Sequence, residues 1–174
     1  MSNELKGIHH SAFRCRDATE TRAFYEGVLG LPVAAALFIE QEPSSGKAHP
    51  YVHIFFELPD GNYIAFFDAP SSARPEHFQK AHGFDRHVAF EADSIDKLHE
   101  WKDRLEAQNV PVVGPVDHHF VQSIYMYDPN GLQVEITART DRHDPIMAHE
   151  KGQSEAILAD WTARTVAEKA KLYA

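Results

Sequence analysis

A short pattern is written twice in this chain, and no other feature narrows the possible folds as much. His10-Ser-Ala-Phe13 followed by Asp17 is echoed by His87-Val-Ala-Phe90 followed by Asp93, each with the alternation of a half-buried strand. A helical stretch follows each aspartate, Thr19 to Leu29 and Ser94 to Gln108. Both stretches close on an apolar-proline pair, Leu31-Pro32 and Val110-Pro111, where proline halts the helix. In the second, Leu98, Trp101 and Leu105 stand at i, i+3 and i+7 with charges between them, one apolar face of an amphipathic helix, and Ser94 offers its N-cap. Extended segments then meet at turns, Pro59-Asp60-Gly61-Asn62 in the first copy and Asp128-Pro129-Asn130-Gly131 in the second, whose Asp-Gly and Asn-Gly pairs are strong hairpin signals.

Each copy therefore reads as strand, helix and three strands. The fold class is α+β: two βαβββ modules over 5–70 and 84–138, with mixed sheets curling around a shared site, and a C-terminal extension over 139–174. Polar, turn-rich loops are expected at 40–50 and 69–83, the second joining the modules. Beyond Arg139 a polar passage to Gly152 leads into a helix from about Ser154 to Leu172, with Ile157, Leu158, Trp161 and Thr165 to Val166 on one side. Such a side needs a surface to cover, its own sheet or a second subunit, which makes a homodimer the expectation.

Composition excludes several function classes. With 17 Lys+Arg against 26 Asp+Glu and a net charge of −9, the chain offers no basic face for nucleic acid or an anionic membrane. Its longest apolar run, Val33 to Ile39, is far too short to span a bilayer. The first residues, MSNELKGI, do not resemble a secretory signal, and the lone Cys15 cannot form an internal disulfide, so a reducing cytoplasm is expected. Twelve histidines stand out and raise the question of a metal.

His10 and His87 hold corresponding places on the first strand of each copy, so pseudo-symmetric pairing is expected to bring their imidazoles together, within one chain or across a dimer. Counted from the turn glycines, Glu135 is four residues after Gly131, whereas the equivalent place after Gly61 is Ala65. In GLQVEIT, Glu135 alternates away from Leu132, Val134 and Ile136, toward a ligand-bearing face. Two imidazoles and a carboxylate make a facial triad that leaves open positions on six-coordinate Fe(II); zinc could use the same ligands.

These residues resemble the vicinal oxygen chelate superfamily of glyoxalases, antibiotic-resistance proteins and extradiol ring-cleaving dioxygenases. The likeness covers residues 5–138 and is carried by GIHHSAFRCRD at 7–17, AFYEGVLGLPV at 23–33, FDRHVAF at 84–90 and SIYMYDPNGLQVEI at 123–136. The last stretch is similar to the final hairpin of the extradiol dioxygenases. The resemblance implies metal ligands at His10, His87 and Glu135. Metal-dependent glyoxalases generally carry a fourth ligand where this chain has Ala65, so the three-ligand dioxygenase pattern is favoured.

Tyr125 takes the place of the tyrosine that hydrogen-bonds substrate oxygen in ring-cleaving relatives; its even offset from Glu135 puts both on one face of a regular hairpin. The acid/base histidine is offered by His118 or His119, with His119 preferred because it shares parity with Tyr125 and Glu135 unless a bulge intervenes. His9 reproduces a histidine pair on the first strand, and alternation turns it away from His10, into a supporting role. Core packing accounts for at least half of Phe55, Phe56, Phe66 and Phe67; any that faces the metal makes a wall for a planar ring.

The implied activity is metal-dependent cleavage of a catecholic ring, with Fe(II) as cofactor ahead of Mn, Zn or Ni, and a small aromatic substrate and O2 as partners. Two rivals remain: a glyoxalase-like metal-dependent lyase or isomerase, and a metal-free small-molecule binding or resistance protein.

Overall fold

The computed structural model describes residues 4–172. Each module builds one four-stranded mixed sheet. In the first, β1 (His10–Cys15) leads through α1 (Ala18–Arg22) to β2 (Val33–Gln41), β3 (Ala48–Glu57) and β4 (Tyr63–Asp68), in the order β1-β4-β3-β2. In the second, β5 (His87–Glu91) leads through α2 (Ile95–Ala107) to β6 (Val113–Asp117), β7 (Val121–Tyr127) and β8 (Gln133–Arg139), in the order β5-β8-β7-β6. The first strand of each module runs parallel to its last, and the remaining pairs are antiparallel.

The local chemistry explains these elements. Asp17 caps α1 by accepting from the Glu20 amide at 2.8 Å, and Ser94 caps α2 through the Lys97 amide at 3.2 Å. Leu98 and Leu105 are fully buried, so the apolar face of α2 lies on its sheet. The first helix is not regular throughout: Ala23–Val28 widens into a π-helical turn that sends Phe24 and Tyr25 into the core. The loop expected at 40–50 is shorter, because Gln41 still pairs with Ala48 and leaves only 42–47 as the turn.

One core serves both modules. Tyr25, Phe56 and Phe66 from the first pack into the same cluster as Leu98, Ile124 and Val134 from the second. A polar latch ties them as well. Asp128 accepts from the Asn130 and Leu132 amides on one oxygen, and from Asn130 Nδ2 and the Tyr25 hydroxyl on the other. Asn130 Oδ1 accepts from the Arg16 amide at 2.9 Å. Burial pushes the Asp128 carboxyl above its ordinary range, against the pull of those donors.

The C-terminal helix corrects the sequence expectation. It begins at His143 and not near Ser154, running as α3 over His143–Leu172. Pro145 stands within its first turn, where no intrahelical N–H is required, and the helix passes through Gly152 despite that residue's backbone entropy. Ile157, Leu158, Trp161 and Val166 remain exposed on it. No helix among the described residues is long and apolar enough to cross a membrane.

Candidate functional site

Strand alternation sorts the faces of the second sheet. Val88, Phe90, Val134 and Ile136 turn toward the core, which leaves His87, Glu135 and Tyr125 on the opposite, open face. Glu135 is paired in register with both Ala89 and Tyr125. His87 Nε2 stands 3.7 Å from Glu135 Oε2, the Tyr125 hydroxyl donates to Glu135 Oε1 at 3.4 Å, and His118 Nε2 lies 2.7 Å from that hydroxyl. These four residues line a cavity of about 410 Å³ together with Tyr127 and His82.

The ring of His87 is oriented from behind. Its Nδ1 lies 2.7 Å from the Gly83 carbonyl, an acceptor only, so Nδ1 must carry the proton. In the neutral ring Nε2 then turns a lone pair toward a carboxylate oxygen, an arrangement that invites a cation between them. The contact is to a backbone carbonyl, and a Cβ at position 83 would meet only the movable end of the Gln133 side chain. Burial, with the Glu135 charge adding to it, holds the Tyr125 hydroxyl protonated above its usual range.

The first module presents an equivalent face with different chemistry. His10 pairs with Tyr63 as His87 pairs with Gln133, and Ala65 is bracketed by Ala12 and Phe55 as Glu135 is by Ala89 and Tyr125. Ala65 is thus the structural counterpart of Glu135. Phe56 and Phe66 enter the core, while Phe55 and Phe67 stay on the open face with His10 and His53. His53 stacks on Phe67 with ring centres 3.9 Å apart, and burial followed by the nearby His10 pushes its ring below the usual histidine range. Its Nε2 is the one buried side-chain polar atom without a partner among the described residues.

Two expectations fail within one chain. His10 does not meet His87: its ring neighbours are His9, His53 and Phe55, and no group of three His, Cys, Asp or Glu side chains converges among the described residues. The reason is the shared core, which occupies the inner faces of both sheets and leaves each open face turned outward. The preference for His119 over His118 fails on backbone geometry. His119 sits in the β6–β7 turn at φ 71°, which breaks the parity counted from Tyr125 and leaves His118 against the Tyr125 hydroxyl. His9 precedes β1, and its Nδ1 lies 2.9 Å from that of His10, so it supports His10 directly.

Sequence reasoning passed over Gly83 and His53. Neither carried a signal: Gly83 contributes only its carbonyl, and His53 lies in an aromatic run with nothing to set it apart. A larger cavity, about 570 Å³, lies elsewhere, lined by Leu31, Leu58, Phe90 and Trp101 among others, with no imidazole in its lining.

Residues 7–136 match the Glyoxalase/Bleomycin resistance protein/Dioxygenase superfamily. A protein of Bacillus subtilis (strain 168) named "Putative ring-cleaving dioxygenase MhqA" is 26% identical over 138 residues, covering 78% of this chain, and the chain spans 41% of that relative's length. The crystal structure of a glyoxalase/dioxygenase from Nostoc punctiforme is 26% identical, covers 79% of this chain and 94% of its own, and superposes with a TM-score of 0.59. FosX, a fosfomycin resistance protein of Listeria monocytogenes solved with Mn(II) and sulfate, shares the fold at 18% identity, 80% and 98% coverage and a TM-score of 0.56. Paired modules, matched registers and a family match over most of the length agree: the chain belongs to the Glyoxalase/Bleomycin resistance protein/Dioxygenase superfamily and has its two-module vicinal oxygen chelate fold.

Proposed function

We propose that this chain is a metal-dependent extradiol-type dioxygenase, opening a catecholic ring with O2 in a reducing cytoplasm. The observation that carries the reading is the contrast between Glu135, gathered with His87 and Tyr125, and its counterpart Ala65. One carboxylate rather than two gives a three-ligand set with His10, His87 and Glu135, and leaves room for two small molecules.

We further propose that the set is completed across a homodimer. A second copy lays its first open face over the second open face of its partner, so His10 of one copy meets His87 and Glu135 of the other, twice by symmetry. Exposed Ile157, Leu158, Trp161 and Val166 on α3 supply apolar surface for such an association. The donor set fits a divalent ion: a lone pair on His87 Nε2 and an anionic carboxylate 3.7 Å away, with the His10 imidazole supplied from the facing wall.

Bound there, Fe(II) supplies Lewis acidity and a position for O2, with Mn, Zn or Ni as the alternatives. The remaining work belongs to the chain. His118 and Tyr125 form a donor chain onto Glu135, so the tyrosine hydroxyl is held to hydrogen-bond a substrate oxygen and His118 can hold or return a proton at that point. Phe55 and Phe67, packed on either side of the His53 ring, offer apolar surface against which an aromatic ring can lie. Anaerobic reconstitution with Fe(II), addition of a catechol panel and admission of air tests the reading: a yellow ring-opened product is expected. Activity without oxygen on a ketoaldehyde adduct, supported by Ni, Zn or Mn, would replace it with the lyase, and tight ligand binding indifferent to His87→Ala would replace it with a metal-free binding protein.

A further inference from the structure

We infer that Arg14, His49 and Tyr51 form a subsite for a carboxylate carried on an aromatic ligand, at the far end of the first module's open face. Alternation along β1 puts Arg14 on the same face as His10 and Ala12, roughly 13 Å beyond His10 at about 3.3 Å per residue. There a cavity of about 210 Å³ is lined by Arg14, Glu42, His49, Tyr51, Phe67 and Ala69. Pockets that hold a whole ligand begin near roughly 300 Å³, so this one is sized for a substituent or one ring. Phe67 joins it to the wall described above, because the same ring stacks on His53 at 3.9 Å and meets Tyr51 edge-on at 5.7 Å.

The guanidinium is held along one edge only. Arg14 Nη1 donates to the Ala69 carbonyl at 3.2 Å and to Ser72 Oγ at 3.1 Å, and His49 Nε2 lies 3.0 Å from the same hydroxyl. Arginine has five N–H donors, and no carboxylate neutralises this one: among the described residues Arg14 makes no ion pair, although acidic residues outnumber basic ones 26 to 17. Glu42 on the rim takes a hydrogen bond from Ser45 and does not reach Arg14. The half-buried Tyr51 hydroxyl has no hydrogen-bond partner among the described residues and adds a neutral donor. One free cation, one phenol and one imidazole beside an acidic rim suit a singly charged, planar group rather than a phosphate dianion.

The inference rests on the dioxygenase reading only for placing the ligand's ring, so its test avoids metal and oxygen. Binding of phenylacetate and of neutral phenylacetamide to the full chain is followed by NMR titration. Phenylacetate is expected to bind about tenfold more tightly than the amide, a preference abolished in Arg14→Gln and partly kept in Arg14→Lys, which retains charge without the fork. Equal binding of the two compounds, binding of neither, or a preference that survives Arg14→Gln overturns the subsite. An arginine that merely tethers Ala69 and Ser72 would, when replaced, weaken both compounds alike, which also overturns it. Phenylacetate preference without any catechol turnover refutes the dioxygenase reading alone; turnover of neutral catechols without that preference refutes the subsite alone.

Discussion

The two modules share a frame and divide the chemistry. At matched places in the ladders the first carries His10, Ala65 and Phe55, and the second carries His87, Glu135 and Tyr125. The second face is a polar cup with an oriented imidazole and a carboxylate; the first is an aromatic wall with a neutral, half-sandwiched His53. Even the β-hairpin turns diverge. Among the described residues the Asp60 side chain in the first bonds only to Asn62 at the surface, whereas Asp128 in the second is buried and bonds across the module boundary. A duplicated scaffold thus specialises by single side chains while its strand register stays fixed, since a one-residue slip would turn every core residue to solvent.

Substitutions can break that contrast, and Glu135→Gln should do so most strongly. It keeps shape and a hydrogen-bond acceptor but removes the anion, so metal measured by mass spectrometry is expected to fall by more than about a hundredfold, beyond the loss from a merely supporting contact. Turnover should vanish with it. Asp128→Ala comes next: deleting a buried acceptor of four hydrogen bonds is expected to lower stability by about 3 kcal/mol in urea unfolding. Asp60→Ala should leave the midpoint nearly where it was, and equal losses from both would show that the turns are interchangeable. Tyr125→Phe should keep the metal and reduce turnover by roughly tenfold to a hundredfold, the worth of one strong hydrogen bond to a reacting oxygen.

Much of this was legible in the chain itself. The duplicated His-x-Ala-Phe strand, the Ser94 cap and the two hairpin turns specify the modules because they are local signals: period-two alternation, a side chain that satisfies an orphan amide, a backbone forced through positive φ. Glu135 and Tyr125 were placed on one face by counting along a regular hairpin. Counting failed at His119, where the left-handed turn breaks the alternation, and at the start of α3, where Pro145 and Gly152 read as breaks although one stands in a first turn and the other is carried by a long helix. Hardest to foresee was how the halves dock. Tyr25 reaching Asp128 across 103 positions is a tertiary choice, and it decides that the sheets share their inner faces and present His10 and His87 outward.

A functional site that draws on two copies of the chain, as proposed, can be probed with mixed variants. His10→Ala and Glu135→Gln, each expected to be inactive alone, are unfolded together and refolded as a mixture. Random pairing makes half the dimers hybrid, each with one site carrying both lesions and one carrying neither, so about a quarter of wild-type activity should return. A mixture that stays as inactive as its parents, while exchange of subunits is verified by mass, would contradict the account.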